Sequence, residues 1–509
     1  MRTPAPAEPP STDLEEPESD RLGQALEAIV DLHRTRPDLA ACSPGVAIDA
    51  GDVLRRAGAA DGQPFILGPD GSYDLELNRF LRELDAWGVR APNSIDAYAR
   101  DLMLFCRFLH EARGGKSIWQ CDSADLRAYK RARLRTEGPL QVSAATWKRS
   151  IAALDKWVRW SVYEGLLPGE PFRYVDKTVL TPQGLKRVRV NAELEPDTGR
   201  PPIEFVSFED YLLWRNVGLR GELPDGRPDP RWRGRHGERN ALFADVLVYT
   251  GMRLGEAASL LVTEVPGLEG RRAAGEVRLS PAVTKRHVAR SVYLNGRTLR
   301  EVHHYLAIER DELVARMQAQ GAYAEGSGWL MVGRAGQRAL WLAEGGRSWP
   351  YAKIGPAARQ RLIYAEGDGR SAGPLWLWLG EDGQPMQRAS WQTVFRRANQ
   401  RCARLGVPIR LHPHTLRHVF AVQMLGLLLR ETLRALGQRG DRRLTTQQLR
   451  RLLIGNPMRK LQLLLGHKHE ASVCGYLDVL DEAQEIVLAA LAEWDARAAS
   501  LQVAAEPVR

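Results

Sequence analysis

The sequence predicts a mostly α-helical protein with a small β-sheet, arranged as a helical domain followed by a larger mixed α+β domain. Three observations carry that expectation. Apolar residues recur at three- and four-residue spacing over two long stretches before residue 168, the pattern of helices with one buried face. A Pro/Gly break at 266–270 precedes two strand-like segments, Val277–Val283 and Arg290–Leu294. At 509 residues, 44% of them hydrophobic and 26% charged, the chain is long enough for two or three separate cores.

Residues 1–20 (MRTPAPAEPPSTDLEEPESD) are rich in Pro, Glu and Ser and hold no apolar run, so they read as a disordered leader and not as a signal peptide. Residues 21–73 form an appendage, with a short helix from Leu22 to Leu32 and then a Gly- and Ala-rich connection. The helical domain spans 74–168. In it Ile95, Tyr98, Leu102, Phe105 and Leu109 share a face, with Asn93 or Ser94 placed to cap the helix. A second helix starts near Ser143, aligns Trp147, Ile151, Leu154, Val158 and Val162, and stops at Gly165 and Pro168. These stripes are core. Residues 169–200 mix both signs of charge with Pro and Gly and read as a linker. The larger domain covers 201–495 and opens on a helix carrying Leu242, Val246 and Tyr249, with a tail at 496–509. Two stretches inside it read as embellishments: 320–375, Gly- and Trp-rich without sustained periodicity, and 430–460, heavily basic.

The net charge of +10 points only weakly to a polyanion, and local clustering says more. Between Arg127 and Arg159 the cations Arg127, Lys130, Arg131, Arg133, Arg135, Lys148, Arg149, Lys156 and Arg159 face only Glu137 and Asp155. Solvated faces usually mix signs. This excess fits a helical domain laid along a phosphate backbone, with Arg127, Lys130, Arg131, Lys148 and Arg149 as candidate contacts. The basic 430–460 stretch reads equally as an exposed helical insert or as an added DNA contact. Five cysteines (Cys42, Cys106, Cys121, Cys402, Cys474) lie far apart without a CxxC pair, which argues against a zinc site or disulfide framework and suits a reducing cytoplasm. No apolar run approaches the roughly eighteen residues a membrane-spanning helix needs.

Four short segments carry candidate chemistry. YTGMRLGE holds Arg253 and Glu256 at the start of a helix, and TKRHVARSVYL holds Lys285 at a turn. HPHTLRHVFA holds His414 and Arg417, and LLGHKHEASVCGY holds His467 and Tyr476. Singly each is weak: Tyr is 13 of 509 residues, and a lone Arg is usually on the surface. Histidines at i and i+4 share a helix face and suggest metal ligands, but the glutamate of a zinc protease is missing. His412, His414 and His418 equally suit structural roles.

As an ordered set these segments resemble the tyrosine recombinase (phage integrase) family, whose catalytic domain carries Arg, Lys, His-x-x-Arg, His or Trp, and Tyr in this order. The match includes Gly-Met-Arg-Leu-Gly-Glu, His-x-Leu-Arg-His, and Leu-Gly-His with Tyr476 nine residues after His467. Lys285 precedes Arg290 and a Val-x-Leu strand, as the family's β-hairpin lysine does. The region 74–168, ending in Glu-Gly-Leu-Leu-Pro, is similar to the family's helical core-binding domain, so the resemblance covers roughly residues 74–495. Two departures stand out: Ser472 and Val473 replace a common Thr-Thr, and the interval between Arg417 and His467 is long.

The resemblance implies a site-specific recombinase acting through a 3′-phosphotyrosyl bond. Tyr476 is then the nucleophile, Arg253 and Arg417 clamp the phosphate oxygens, and His467 adds a hydrogen bond. His414 is the expected general base and Lys285 the donor to the departing 5′-hydroxyl. Glu256 supports the first arginine. No cofactor or metal is expected, because one phosphodiester is exchanged for another. The expected partner is double-stranded DNA, with four protomers joining two sites. A C-terminal helix with Val487, Leu491, Trp494 and Ala498 on one face would dock on a neighbouring subunit. The N-terminal appendage and the two insertions favour a mobile-element integrase or transposase. Two alternatives stand beside this: a type IB topoisomerase-like enzyme, and a DNA-binding accessory protein with a dead site.

Overall fold

The structure, a computed structural model, describes Arg56 and residues 30–35, 62–134, 141–181, 184–195, 206–268, 274–323, 328–365, 371–437 and 456–477 apart from Glu470 and Gly475. The chain divides into two compact units, Met1–Arg200 and Pro201–Arg509.

In the first unit, α1 (Leu75–Glu83), α2 (Pro92–Ala112), α3 (Ser123–Leu134) and α4 (Ala144–Tyr163) enclose one core. Leu102, Phe105 and Leu109 of α2 and Trp147, Ile151, Leu154 and Val158 of α4 are buried there, as their spacing requires. Ser143 caps α4 through the Thr146 amide. The start of α2 differs from expectation: Ala91 is the extended cap residue and Pro92 opens the helix ahead of Asn93 and Ser94. Proline has no amide hydrogen to leave unpaired at that position, and its fixed φ suits the first turn.

Two further departures precede and follow these helices. Asp31–Arg34, in place of a helix ending at Leu32, is a strand β1 paired antiparallel with β2 (Pro64–Leu67). Val30 and Ile66 drop into the helical core, and the Asn78 amide brackets Ile66 by accepting from its N–H and donating to its carbonyl at 2.7 and 2.8 Å. The rest of the Leu22–Leu32 segment, like the 1–20 leader, lies outside the described residues. The expected linker contains a hairpin, β3 (Tyr174–Thr181) with β4 (Gly184–Asn191), in register from Tyr174↔Asn191 to Thr181↔Gly184. Its base is fixed because Tyr174 Oη and Asn191 Nδ2 both donate to Asp155 Oδ1, at 2.9 and 2.8 Å.

The second unit begins with α5 (Phe208–Arg215) and α6 (Gly237–Thr250), followed by α7 (Leu254–Ala258). The hairpin of β5 (Ala274–Leu279) and β6 (Arg290–Asn295) comes next, then α8 (Gly296–Tyr305) and α9 (Asp311–Ala319). The 320–375 stretch is not irregular. It forms β7 (Leu330–Ala335), β8 (Ala339–Leu342), β9 (Ser348–Pro350), the turn of helix α10 (Pro356–Arg359), β10 (Leu362–Ala365) and β11 (Ser371–Pro374). The sheet order is β11-β10-β7-β8-β9, parallel only between β10 and β7. Register shifts at Val332/Arg334 and Tyr364/Ala365 break the two-residue period that would have betrayed it. The sheet shares the main core through Val332, Leu340, Leu362 and Ile363, and buried Arg359 ties it to Glu264 at 2.6 Å.

Three helices complete the unit: α11 (Arg388–Arg404), α12 (Pro413–Gly437) and α13 (Asn456–Leu465), with a last turn α14 (Ala471–Cys474). Phe420, Ala421, Val422 and Leu425 of α12 pack on Met458, Leu461 and Leu465 of α13, and Val473 and Tyr476 close that cluster. Of the basic 430–460 stretch, residues 438–455 lie outside the described residues, as do 478–509 with the expected C-terminal helix. No described helix is long and apolar enough to cross a membrane.

Candidate active site

The Gly-Met-Arg motif is a helix exit. Gly251 ends α6 at φ 63°, a left-handed conformation that glycine adopts without strain. A Cβ there would lie 2.2 Å from the Phe420 ring of α12, so the residue is small for packing reasons as well. The turn delivers Arg253 to the N-cap of α7, where its amide donates to Glu256 Oε2 at 2.7 Å and its Nη1 to Oε1 at 3.1 Å. Glu256 is 1% exposed and also receives both Nη groups of Arg290 from β6, at 2.9 and 2.6 Å. Burial alone would raise its pKa; the Arg290 bonds and charge overcome this and hold it low. Arg290 Nε in turn donates to Leu464 O on α13 at 2.9 Å. One carboxylate thus joins the segments that carry Arg253, Lys285 and His467.

Arg417 sits on the first turns of α12 and is 1% exposed. Its Nη1 donates to Gly251 O and its Nη2 to Leu465 O, and Nη2 also lies 3.2 Å from His467 Nε2. No described carboxylate comes within salt-bridge distance of it. Burial, then Arg253, pushes its pKa down to about 9, and the more distant charge of Glu256 offsets this only in part. Guanidinium nitrogens only donate, so His467 Nε2 accepts and the ring proton sits on Nδ1. That Nδ1 is buried and has no hydrogen-bond partner among the described residues.

Tyr476 is 3% exposed, its ring held in the α12–α13 cluster. Its Oη lies 3.1 Å from His418 Nδ1. Burial raises the phenol pKa, against the lowering pull of Arg417 and Arg253. His414 stands one helical turn before His418, with ring centroids 4.4 Å apart in edge contact. Partial desolvation, then Arg417, Arg253 and Lys285, lowers its pKa. Lys285 is exposed in the turn between β5 and β6, which Thr284 braces with hydrogen bonds to and from Val288 at 3.0 and 3.1 Å. The structure therefore brings Arg253, Arg417, His467 and Tyr476 together, with His414 and Lys285 at the margin. His418 and Arg290 were not among the residues expected from sequence to act in the site. The four-residue spacing from His414 is the signal that puts His418 on the same helix face.

The five candidate DNA contacts of the first unit divide. Arg127, Arg131, Lys148 and Arg149 are exposed, and Lys130 is half-buried. Lys130 is engaged by Glu193 and Glu195 at 3.4 and 2.9 Å, and Arg149 forks onto buried Asp101 at 2.8 and 3.0 Å. The last two therefore also stabilise their own unit.

Crowding of cations has a pH consequence. Burial, with Arg417 and neighbouring arginines, pushes His467 down to about 4, and burial with His414 and Arg417 does the same to His418. Folded values below the ordinary 6.5 mean that the unfolded chain binds more protons between those limits, so stability falls as pH falls through that window. Going from pH 7 to 5 is expected to lower the unfolding free energy by about 2 kcal/mol, allowing for solvent screening. Urea titrations at the two pH values measure it; equal stability would contradict this electrostatic picture.

The model of the phage integrase N-terminal SAM-like domain matches residues 77–165, and that of the phage integrase family matches 233–426, together more than half of the chain. The second match ends before His467 and Tyr476. Tyrosine recombinase XerD of Bradyrhizobium diazoefficiens is 30% identical over 181 residues, 36% of this chain and 49% of the relative. Tyrosine recombinase XerD of Shewanella oneidensis is 20% identical over 355 residues, 69% of this chain and 83% of the relative. The chain thus spans about half the length of the first of these curated relatives. Among solved structures, the XerH site-specific recombinase bound to palindromic difH substrate, a post-cleavage complex, aligns at 15% identity and TM-score 0.42, covering 78% of this chain and 79% of that one.

Proposed function

The chain belongs to the phage integrase family of tyrosine recombinases, and from that premise we propose that it cleaves and rejoins DNA at specific sites through a phosphotyrosyl bond at Tyr476. The observation that carries this reading is the buried guanidinium of Arg417, which has no salt bridge to any described carboxylate, set with Arg253 beside the phenol of Tyr476. A cation held without a carboxylate is an anion site, and a scissile phosphate is the anion that a tyrosine nucleophile requires.

In the proposed step Tyr476 Oη attacks phosphorus, and the phenol proton passes to the His414–His418 pair. Arg417, Arg253 and His467 Nδ1–H hold the non-bridging oxygens as charge builds on them. Lys285 gives a proton to the departing 5′-oxygen. The phosphotyrosyl link keeps the energy of the broken bond, so a 5′-hydroxyl from another strand reverses the chemistry and reseals the DNA. Transesterification balances without ATP or metal.

Duplex DNA is the proposed partner, with Arg127, Lys130, Arg131, Lys148 and Arg149 as candidate backbone contacts. Exchange between two sites calls for four protomers, and the stripe of Val487, Leu491, Trp494 and Ala498 is proposed to dock on a neighbour. We place the protein in the cytoplasm and assign it to a mobile element. Nicked duplexes cut from the DNA flanking its own gene test the reading, because the short fragment released on cleavage cannot return and the adduct accumulates. A covalent protein–DNA band is expected on one of them. Binding without any band would favour an inactive accessory protein; relaxation of supercoils regardless of sequence would favour a topoisomerase.

A further inference from the structure

His418 holds a position that the phosphate clamp does not explain. It lies on α12 between Arg417 and the apolar residues Val419 and Phe420, one turn beyond His414. Its Nδ1 is 3.1 Å from Tyr476 Oη, with ring centroids 5.7 Å apart and planes tilted by 48°. Among the described residues no other hydrogen bond reaches that hydroxyl. Arg417 and Arg253, the charges that act on the phenol, possess no acceptor. His467 accepts from Arg417 and presents only its N–H. Among the described residues the one acceptor within reach of the Tyr476 hydroxyl proton is then His418 Nδ1, in the tautomer that carries its own proton on Nε2.

We propose that His418, and not His414, takes the proton from the nucleophile, with His414 acting outward of it on the phosphate or solvent. This rests on the recombinase reading above and names the base within it. In the forward step the Oη–P bond forms while the P–O5′ bond breaks. The Oη proton moves to His418 Nδ1, giving an imidazolium, and Lys285 protonates O5′ to become an amine. On rejoining, a 5′-hydroxyl attacks phosphorus and gives its proton to the Lys285 amine. The His418 imidazolium returns its proton to Oη, and both groups are reset.

The surroundings suit that role. Burial, then His414 and Arg417, holds the His418 pKa at about 4, so the ring is neutral and able to accept across the physiological range. An imidazolium formed beside Arg417 is unfavourable until the phosphate is present. Proton uptake is thereby coupled to occupancy of the clamp, and the unliganded phenol stays protonated. His414, exposed and in edge contact with the ring, is placed to lead a proton outward to solvent.

Four measurements test the assignment. In the free protein, 15N shifts of the His418 ring at pH 7 should report Nε2 protonated and Nδ1 an acceptor; a protonated Nδ1 would overturn the proposal without any DNA. On a duplex that traps the wild type, His418→Asn keeps an amide near Nδ1 but cannot take a proton, and cleavage should slow by about 10²–10⁴-fold with DNA affinity kept. Exogenous imidazole should restore part of the rate to His418→Ala. A substrate with sulfur in place of O5′ separates the two proton transfers, because a thiolate leaves unprotonated. That substrate should rescue Lys285→Ala but not His418→Asn. A wild-type rate for His418→Asn, or its rescue by sulfur, would reduce His418 to a packing residue. If the wild type traps no DNA at all, the recombinase reading fails, and the 15N measurement still decides the tautomer.

Discussion

Replacing Tyr476 with phenylalanine is expected to remove covalent adduct formation, by about 10⁴-fold or more, and to leave DNA affinity within about twofold. The substitution takes away one oxygen and no packing. The ring stays among the apolar side chains of α12 and α13 that already bury it. The lost hydroxyl makes one described hydrogen bond, to His418, so stability should change by no more than about 1 kcal/mol. Rate and fold are therefore separable at this position. Adduct on a nicked duplex, fluorescence anisotropy and thermal melting read the three quantities on one preparation. An adduct that persists in Tyr476→Phe would place the nucleophile elsewhere and sink the mechanism. Lost binding would mean that the ring supports the DNA surface and would leave the chemistry to be assigned by other variants.

How far the sequence could be read depended on the range of the interactions involved. Helices α2 and α4 were legible because each buries one face continuously, so Leu102 to Leu109 and Trp147 to Val158 repeat with the helical period. The six proposed catalytic positions were legible because their order and flanking residues form a motif, and the Gly251 turn shows why one such flank is fixed. What escaped was set by distant partners. The strand at Asp31–Arg34 exists through pairing with Pro64–Leu67, thirty residues away, and the β7–β11 sheet has short strands with shifted register. The hairpin at Tyr174–Asn191 alternates weakly because both its faces are largely exposed. His418 was visible as a letter, but its contact with Tyr476 spans 58 positions and needs the fold to appear. Likewise Arg290 could be seen beside Lys285, while its bridge from Glu256 to Leu464 could not.

That bridge and the contacts of Arg417 make the proposed phosphate clamp part of the scaffold, and Arg417→Lys is expected to expose the coupling. The guanidinium spans the carbonyls of Gly251 and Leu465, one at the exit of α6 and one at the end of α13, and still touches His467. An ammonium has three donors on a single nitrogen and cannot reach both carbonyls along the guanidinium's fork while facing a phosphate. One buried carbonyl is then left unpaired, at about 1–3 kcal/mol, and cleavage should fall by about 10²–10³-fold through the weakened transition-state contact. Because the wild-type charge is buried without a salt bridge to any described carboxylate, an oxyanion is expected to relieve a desolvation cost already present in the free protein. Sulfate should therefore raise the melting temperature of the wild type more than that of Arg417→Lys, whereas sodium chloride at equal ionic strength should not separate the two. Equal sulfate stabilisation would show that the anion binds elsewhere. A wild-type cleavage rate in Arg417→Lys would show that charge alone, without the fork, suffices for the clamp. The pairing of lost rate with lost sulfate response is specific to an arginine that both holds the fold together and waits for a phosphate.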